Sequence, residues 1–156
     1  MGAETAIFAA GCFWGVEAHF VGISGVTGTD VGYSGGKTRE PTYKEVCSDT
    51  TGHAEVVQVK FDPDVLSYAE LLVAFWECHD PTQLNRQGPD SGTQYRSAIF
   101  CHGEEQLAAA SASLAAAQPR FGGGIVTLVE PAQEFWRAED YHQNYFQKNP
   151  NAACHI

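Results

Sequence analysis

The sequence has few basic residues: nine Lys and Arg stand against 19 Asp and Glu among 156 residues, and the formal net charge is −10. A protein that binds nucleic acid by neutralising phosphates needs clusters of Lys and Arg. Because no such cluster occurs, we expect no nucleic-acid partner. The negative charge disfavours anionic membrane surfaces, and no apolar run of about 18 residues is present that could span a bilayer. We therefore expect no membrane partner.

Closely spaced cysteines are missing as well. The five cysteines are an odd number, and no two of them lie closer than 23 residues. This spacing excludes C-x-x-C motifs and dense disulfide scaffolds, and it argues against a structural zinc site. The first residues lack the basic and apolar regions of a signal peptide. We therefore expect a cytoplasmic protein whose cysteines persist as thiols, some of them reactive.

The chain does contain enough apolar sequence for a core. Hydrophobic residues make up 44% and charged residues 18% of the sequence, which is typical of a globular protein. A chain of this length buries roughly two thirds of the surface that its unfolded form exposes. Neither an internal repeat nor a long linker occurs. We expect one domain over residues 1–156 and a monomer in solution.

Apolar spacing predicts an alternation of strands and helices. Val57, Val59 and Phe61 recur at every second position of one strand, and Ser67 and Glu70 form a helix-capping pattern. Strands are expected at 5–9, 26–33, 53–61, 95–100 and 125–129, and helices at 13–21, 67–79, 104–117 and 139–147. The first six elements predict an α+β fold with a ferredoxin-like split βαβ core, a mixed sheet with helices packed on it. A helix, a strand and a C-terminal tail would extend this core.

Cys12 lies where the first strand is expected to end and the first helix to begin. Unpaired backbone N–H groups and the positive end of the helix dipole favour a thiolate at such a position. Phe13 and Trp14 follow directly and would form an apolar wall beside a reactive thiol. The residues alone equally allow a buried structural cysteine beside a packed aromatic pair.

Glu55 precedes Val57 and Val59 at two-residue spacing, so it would project from the same apolar face of the strand. Burial there favours the protonated carboxyl, which a general acid needs. The alternative is a glutamate at the strand end that turns into solvent.

Three further kinds of candidate lie in or beside the predicted loops and in the C-terminal tail. Tyr33, Tyr43 and Tyr95 lie in or beside polar loops, where a phenol can donate a hydrogen bond to a substrate oxygen or can simply pack. Asp90, beside Ser and Gly, can orient water or cap a turn. Cys154 can condense with a sulfenic acid on another cysteine or can be an incidental exposed thiol.

Several segments resemble one enzyme family. Gly11–Gly15 (GCFWG) resembles the signature of the A-type methionine sulfoxide reductases, the peptide-methionine (S)-S-oxide reductases. Further segments match the family's motifs in the family's order: Gly32–Gly36, Pro41–Cys47, Thr51–Glu55, Phe75–Trp76 with His79–Pro81, Gly92–Ser97, Ala138–Gln143 and Lys148–Pro150. These segments are spread along nearly the whole chain, so the resemblance is specific.

The resemblance implies a thiol-dependent reduction of methionine S-sulfoxide, free or in oxidised proteins, to methionine, and hence a role in protein repair. It implies that Cys12 attacks the sulfoxide sulfur and that Glu55 protonates the sulfoxide oxygen. Tyr43 and Tyr95 resemble the phenols that hold this oxygen.

The resemblance also assigns a pocket and a way to regenerate the enzyme. Phe13 and Trp14 would receive the S-methyl group, and Asp90 would position substrate or water. Cys154 would resolve the sulfenic acid of Cys12 as a disulfide, which thioredoxin, the family's usual partner, would reduce. No bound metal or organic cofactor is expected. Cys47, Cys78 and Cys101 are expected to be bystanders.

Two other functions are compatible with the residues. A thiol peroxidase also passes through a sulfenic acid, although the wall of Phe13 and Trp14 favours a methyl-bearing substrate. A non-catalytic Cys/His metal-binding module is the second, since three Cys-His dipeptides occur. The wide cysteine spacing argues against it.

Overall fold

The computed structural model describes residues 4–149. Its elements are β1 (Glu4–Ala10), α1 (Phe13–Val21), β2 (Val26–Ser34), α2 (Tyr43–Cys47), β3 (Ala54–Phe61), α3 (Tyr68–Glu77), β4 (Arg86–Gln87), β5 (Asp90–Ser91), β6 (Ser97–Cys101), α4 (Gly103–Ala117), β7 (Leu128–Pro131), β8 (Trp136–Arg137) and α5 (Tyr145–Lys148). Short 3₁₀ turns occupy Thr93–Tyr95, Gln118–Phe121 and Asp140–His142. None of the helices in this part of the chain combines the length and the hydropathy needed to cross a membrane.

The main sheet confirms the predicted core. Its strands follow the order β7-β6-β1-β3-β2-β8. The four central strands pair antiparallel, β6 with β1, β1 with β3 and β3 with β2. This is the arrangement of a ferredoxin-like split βαβ unit. Because β7 pairs parallel with β6, the complete sheet is mixed.

The helices cover one face of this sheet. Phe8 of β1 lies in the centre of that layer, with ring centroids 5.1 Å from Phe20 of α1 and 5.3 Å from Phe75 of α3. The alternate residues of β1 face the other side, where a smaller cluster includes Ile7 and Phe100. The period of two along each strand therefore separates a helix-covered face from a thinner apolar layer.

Helix α2 was not expected, because its region was predicted to be a polar loop. It contains five residues, too few for an apolar period. Its start is stabilised by a capping box: the Thr42 hydroxyl accepts from the Glu45 N–H, and the Glu45 carboxylate accepts from the Thr42 N–H. The strands β4, β5 and β8 were also missed, since two residues carry no alternation.

The predicted helix at 139–147 was wrong as a continuous element. The chain forms a 3₁₀ turn, then Asn144 adopts φ of 53°, and only Tyr145–Lys148 are α-helical. Tertiary contacts explain the break. The Gln143 amide accepts from Val31 N–H and donates to Val31 C=O, both at 2.9 Å. The Glu17 carboxylate accepts from the Asn144 N–H at 2.8 Å.

Candidate active site

Cys12 is the N-cap residue of α1 and lies two residues after the end of β1. Gly11, with φ of 98°, makes the turn between the two elements. The Cys12 side chain is partly exposed, and the first turn of α1 contains no acidic residue. The N–H groups and the dipole of α1 therefore favour negative charge at this thiol.

Glu55 lies on the buried face of β3, as the strand alternation predicts, and only 1% of it is exposed. It is the cross-strand partner of Tyr33. Its Oε1 accepts a hydrogen bond from the N–H of Phe13 at 3.2 Å. Phe13 follows Cys12 in the chain, so the carboxyl lies at the same helix end as the thiol. Apolar surroundings favour the protonated acid, while the N–H and the helix dipole favour the carboxylate.

Tyr43 is the first residue of α2 and is half-buried. Its ring centroid lies 6.2 Å from that of Phe13 and 6.3 Å from that of Trp14. Burial, and then the charge of Glu55, raise the pKa of the Tyr43 hydroxyl well above its ordinary value. The hydroxyl therefore keeps its proton and can donate a hydrogen bond.

Tyr95 closes the 3₁₀ turn before β6 and is also half-buried. Burial raises the pKa of its hydroxyl, and the charges of Glu55, Cys47, Asp90 and Cys12 add to this effect. Asp90 lies in β5, half-buried, on the short hairpin that precedes Tyr95. The structure thus brings Cys12, Glu55, Tyr43, Tyr95 and Asp90 to one region.

The loop that carries Asp90 and Tyr95 is held by side chains. The Gln87 amide accepts from the Asp80 N–H at 3.0 Å and donates to the Asp80 C=O at 2.9 Å. Asp49, just after α2, accepts from both the N–H and the hydroxyl of Thr93. These bonds fix the turn of Tyr95 relative to α2, which carries Tyr43.

The apolar side of the site consists of Phe13 and Trp14. Phe13 is 1% exposed, whereas Trp14 is half-buried. One face of the Trp14 ring stacks on Tyr145, with centroids 3.8 Å apart and planes 8° apart. The indole N–H donates to Nδ1 of His142 at 2.9 Å. His142 is fully buried.

Glu139 connects two of the predicted tyrosines and was not singled out in the sequence. Its Oε1 accepts from the Tyr33 hydroxyl at 2.9 Å, and its Oε2 accepts from the Tyr43 N–H at 3.0 Å. Although burial opposes ionisation, hydrogen bonds from Tyr43 and Tyr33 contribute to keeping the pKa of Glu139 below its ordinary value. The Tyr33 hydroxyl is fully buried, and its hydrogen bond is made to another side chain of the protein. In the sequence, only the match of the segment Ala138–Gln143 to the family's motifs pointed to Glu139.

Comparison with known proteins identifies the family. Residues 4–156 match the family model for peptide methionine sulfoxide reductase. The chain belongs to the peptide methionine sulfoxide reductase family. It is 56% identical over 155 residues to the peptide methionine sulfoxide reductase MsrA of Methanothermobacter thermautotrophicus, covering 98% of this chain and 92% of the relative. It resembles the reduced form of Mxr1 from Saccharomyces cerevisiae with a TM-score of 0.95 and 38% identity, over 98% of this chain and 89% of that chain.

A second Saccharomyces cerevisiae structure shows Mxr1 in complex with Trx2. It aligns with a TM-score of 0.68 and 28% identity, over 92% of this chain and 85% of that chain. Membership of the peptide methionine sulfoxide reductase family confirms the enzyme class and the reaction that the sequence resemblance implied, the reduction of methionine sulfoxide.

The other cysteines of this reductase have different surroundings. Cys47 is exposed, one turn after Tyr43, and its thiol contacts the Tyr43 hydroxyl. Cys78 and Cys101 are 4% and 2% exposed. Burial raises the pKa of Cys78 to about 12, so this thiol stays protonated and unreactive. Cys154, the predicted resolving cysteine, lies outside the described residues.

Within residues 4–149, no three His, Cys, Asp or Glu side chains converge in a way that could hold a metal ion. In the dipeptide Cys78-His79, the ring of the histidine is engaged in hydrogen bonds. His79 Nδ1 lies 2.9 Å from the Phe75 carbonyl oxygen, and Nε2 lies 2.7 Å from the Ser97 hydroxyl. Both ring nitrogens thus make hydrogen bonds within the fold.

Proposed function

We propose that this reductase acts on the S epimer of methionine sulfoxide, free or in oxidised proteins, through attack of the Cys12 thiolate on the sulfoxide sulfur. The observation that carries the proposal is the hydrogen bond from the Phe13 N–H to Glu55 Oε1, at 3.2 Å. It holds a buried acid at the helix end where Cys12 lies. An acid and a nucleophile at one place can act on the two atoms of a single S–O bond.

In the reductive step, the Cys12 thiolate attacks sulfur while Glu55 donates a proton to the sulfoxide oxygen. This attack forms a bond between the Cys12 sulfur and the substrate sulfur. The hydroxyl group then passes to the Cys12 sulfur, so that a bond between Cys12 sulfur and oxygen forms while the bond between the two sulfurs and the substrate's sulfur–oxygen bond both break. The proton remains on the oxygen, so the products are methionine and the Cys12 sulfenic acid. The protonated hydroxyls of Tyr43 and Tyr95 donate hydrogen bonds to the oxygen as its negative charge develops.

Phe13 and Trp14 receive the S-methyl group, and Asp90 positions substrate or water by hydrogen bonding. The acid and the phenols require the oxygen on one side, and the aromatic wall requires the methyl group on another. In the opposite epimer, either the oxygen would lie away from the acid and the phenols or the methyl group would lie away from the aromatic wall. This asymmetry supports a preference for one epimer, as expected of a family in which each enzyme reduces one.

The Cys154 thiol then condenses with the Cys12 sulfenic acid, forming a disulfide and releasing water. A dithiol reductant reopens the disulfide. The complex of the related Mxr1 with Trx2 supports thioredoxin as that reductant. The cycle requires no resident metal or organic cofactor. We propose that residues 1–156 act as one domain and as a monomer, in the cytoplasm, where thioredoxin keeps thiols reduced.

A Cys154→Ser variant tests this scheme. With methionine S-sulfoxide it should release one methionine per enzyme and then stop, even with thioredoxin present. A sulfenic-acid-specific nucleophile such as dimedone should label Cys12 in the stalled enzyme, and mass spectrometry of peptides locates the label. Cys47→Ser is the matched control and should turn over continuously. Sustained turnover by Cys154→Ser, or a label on another cysteine, would contradict the proposal.

A further inference from the structure

We propose that His142 is a positioning residue that sets the preference of this enzyme for a methyl sulfoxide by holding the Trp14 indole in place. The proposal rests on the proposed role of Trp14 in receiving the S-methyl group. It assigns a role in substrate selection to a side chain from the C-terminal part of the described chain.

The contact is direct and joins distant parts of the chain. The Trp14 indole N–H donates to His142 Nδ1 at 2.9 Å, across 128 residues of sequence. Stacking on Tyr145 holds one face of the indole. Stacking alone leaves a ring free to slide and to turn within its own plane. A hydrogen bond at the ring edge removes this freedom, because it has a preferred direction.

The His142 ring also contacts the other residues of the proposed pocket. Its centroid lies 5.2 Å from that of Phe13 and 4.4 Å from that of Tyr43. A shift of the imidazole would therefore move the aromatic wall and the phenol together. The shape of the pocket for the methyl group depends on where this ring lies.

The protonation state of His142 suits an acceptor. Because the Trp14 N–H donates to Nδ1, the neutral ring carries its proton on Nε2. Among residues 4–149, no hydrogen-bond partner for the buried Nε2 is present. Phenylalanine would fill a similar volume without burying an unsatisfied N–H. What histidine contributes at this position is the Nδ1 acceptor for Trp14.

The surroundings keep the ring neutral. Burial lowers the pKa of His142, and the charge of Glu139 opposes this only in part. The other titratable groups that face the ring are the hydroxyls of Tyr141, its neighbour in the chain, and Tyr43 of α2. From α1 the facing rings are those of Phe13 and Trp14, which do not titrate.

Steady-state kinetics of His142→Phe test the proposal. We expect the KM for methionine sulfoxide to rise about tenfold, because a displaced Trp14 ring contacts the methyl group less well, and we expect a smaller loss in kcat because Tyr43 packs against the same ring. The ratio of kcat/KM for methionine sulfoxide to that for ethionine sulfoxide, its ethyl analogue, should fall. His142→Asn, whose side-chain oxygen can reach the Nδ1 position, should restore both quantities to within about twofold.

A double-mutant cycle separates this role from a purely structural one. Trp14→Phe removes the indole N–H. If His142 acts through Trp14, adding His142→Phe to Trp14→Phe should not raise KM further. Additive effects of the two changes would overturn the proposal.

A ¹H–¹⁵N spectrum provides a readout without substrate. The indole signal of Trp14 should move in His142→Phe and return in His142→Asn. If His142→Phe does not fold, His142→Gln, whose amide reaches toward the Nε2 position, takes its place. An unmoved Trp14 signal and an unchanged KM, in an enzyme whose wild type reduces methionine sulfoxide, would overturn the positioning role alone. A wild type without that activity would instead overturn the proposed function.

Discussion

The N-terminal end of α1 and the C-terminal end of α3 each carry a cysteine beside large aromatic residues, yet their chemistry differs. By sequence, Cys78 with the adjacent His79 resembles a thiol–imidazole pair more than Cys12 does. In the structure Cys78 is the C-cap of α3, 4% exposed, and its thiol donates to the Phe75 carbonyl at 3.3 Å. Cys12 is the N-cap of α1 and is partly exposed.

The two cysteines differ both in helix end and in burial, and both differences favour a thiolate at Cys12 over one at Cys78. N–H groups and the positive dipole end surround Cys12, and both stabilise a thiolate. Cys78 lies at the carbonyl end of α3, and burial raises its pKa to about 12. His79 Nδ1 lies 3.8 Å from the Cys78 sulfur, but it donates its proton to the Phe75 carbonyl oxygen at 2.9 Å and therefore cannot act as a base towards the thiol.

The largest expected effect tests this comparison directly. Cys12→Ser should lose at least about 10³-fold in turnover, because a serine hydroxyl is a far weaker nucleophile than a thiolate. Cys78→Ala should keep turnover within about twofold and lower the free energy of unfolding by about 1 kcal/mol, the effect of emptying a small buried volume. Methionine release and urea denaturation measure the two quantities. Similar activity losses in both variants would refute the distinction.

Two buried carboxyls, those of Glu55 and Glu17, extend the comparison from cysteines to acids. Glu55→Gln should slow the single-turnover reduction by about 10²-fold, the usual contribution of a general acid. Glu17 is equally buried, at 1% exposure, but accepts from the Thr29 hydroxyl and the Asn144 N–H away from the helix end. Glu17→Gln should change that rate less than threefold. Rapid-quench measurement of methionine gives both rates, and equal rates in the two variants would remove Glu55 from the acid role.

A smaller effect is expected from the tyrosines. Tyr95→Phe should lower kcat/KM about tenfold, since it removes the hydrogen bond that we propose Tyr95 donates to the sulfoxide oxygen. Tyr68, near Cys101 on the α3 side, is the matched control because burial raises the pKa of its hydroxyl too. Tyr68→Phe should leave kcat/KM unchanged within about twofold. A tenfold loss in this control would mean that the effect is not specific to the site.

The smallest effect concerns the dependence of stability on pH. Burial raises the pKa of Glu17, although its bonds to Thr29 and Asn144 oppose this. Protonation therefore favours the folded state, and this stabilisation is lost as the pH rises through the folded-state pKa. Relative to wild type, Glu17→Gln should therefore gain unfolding free energy as the pH rises from 4 to 7.

Glu70, at the N-terminal end of α3, provides a control of opposite sign. Its hydrogen bonds with Ser67 lower its pKa, so its stabilisation is present at neutral pH and lost as the pH falls. Glu70→Gln should be less stable than wild type at neutral pH and approach it in acid. If the difference in unfolding free energy between each variant and wild type were the same at every pH, the assigned pKa shifts of Glu17 and Glu70 would be refuted.

Local patterns were enough for the longer elements. Helix α3 was predicted from the Ser67–Glu70 cap and β3 from Val57, Val59 and Phe61, each close to its observed bounds. The capping pattern Thr42-x-x-Glu45 was present for α2 but lay in a stretch without apolar period. Asn144 breaks the last predicted helix because Glu17 binds its N–H, and no local rule anticipates that contact.

By itself, the sequence determined the order of the longer strands and helices, the strand face that Glu55 shares with Val57 and Val59, and the place of Cys12 between a strand and a helix. These follow from residues adjacent in the chain, where periods of 2 and 3.6 decide which side chains share a face. Only the tertiary structure decided that Glu139 binds Tyr33 and that His142 binds Trp14, across 106 and 128 residues. Single side-chain hydrogen bonds between distant segments leave no periodic pattern, and they form only once the sheet has brought those segments together.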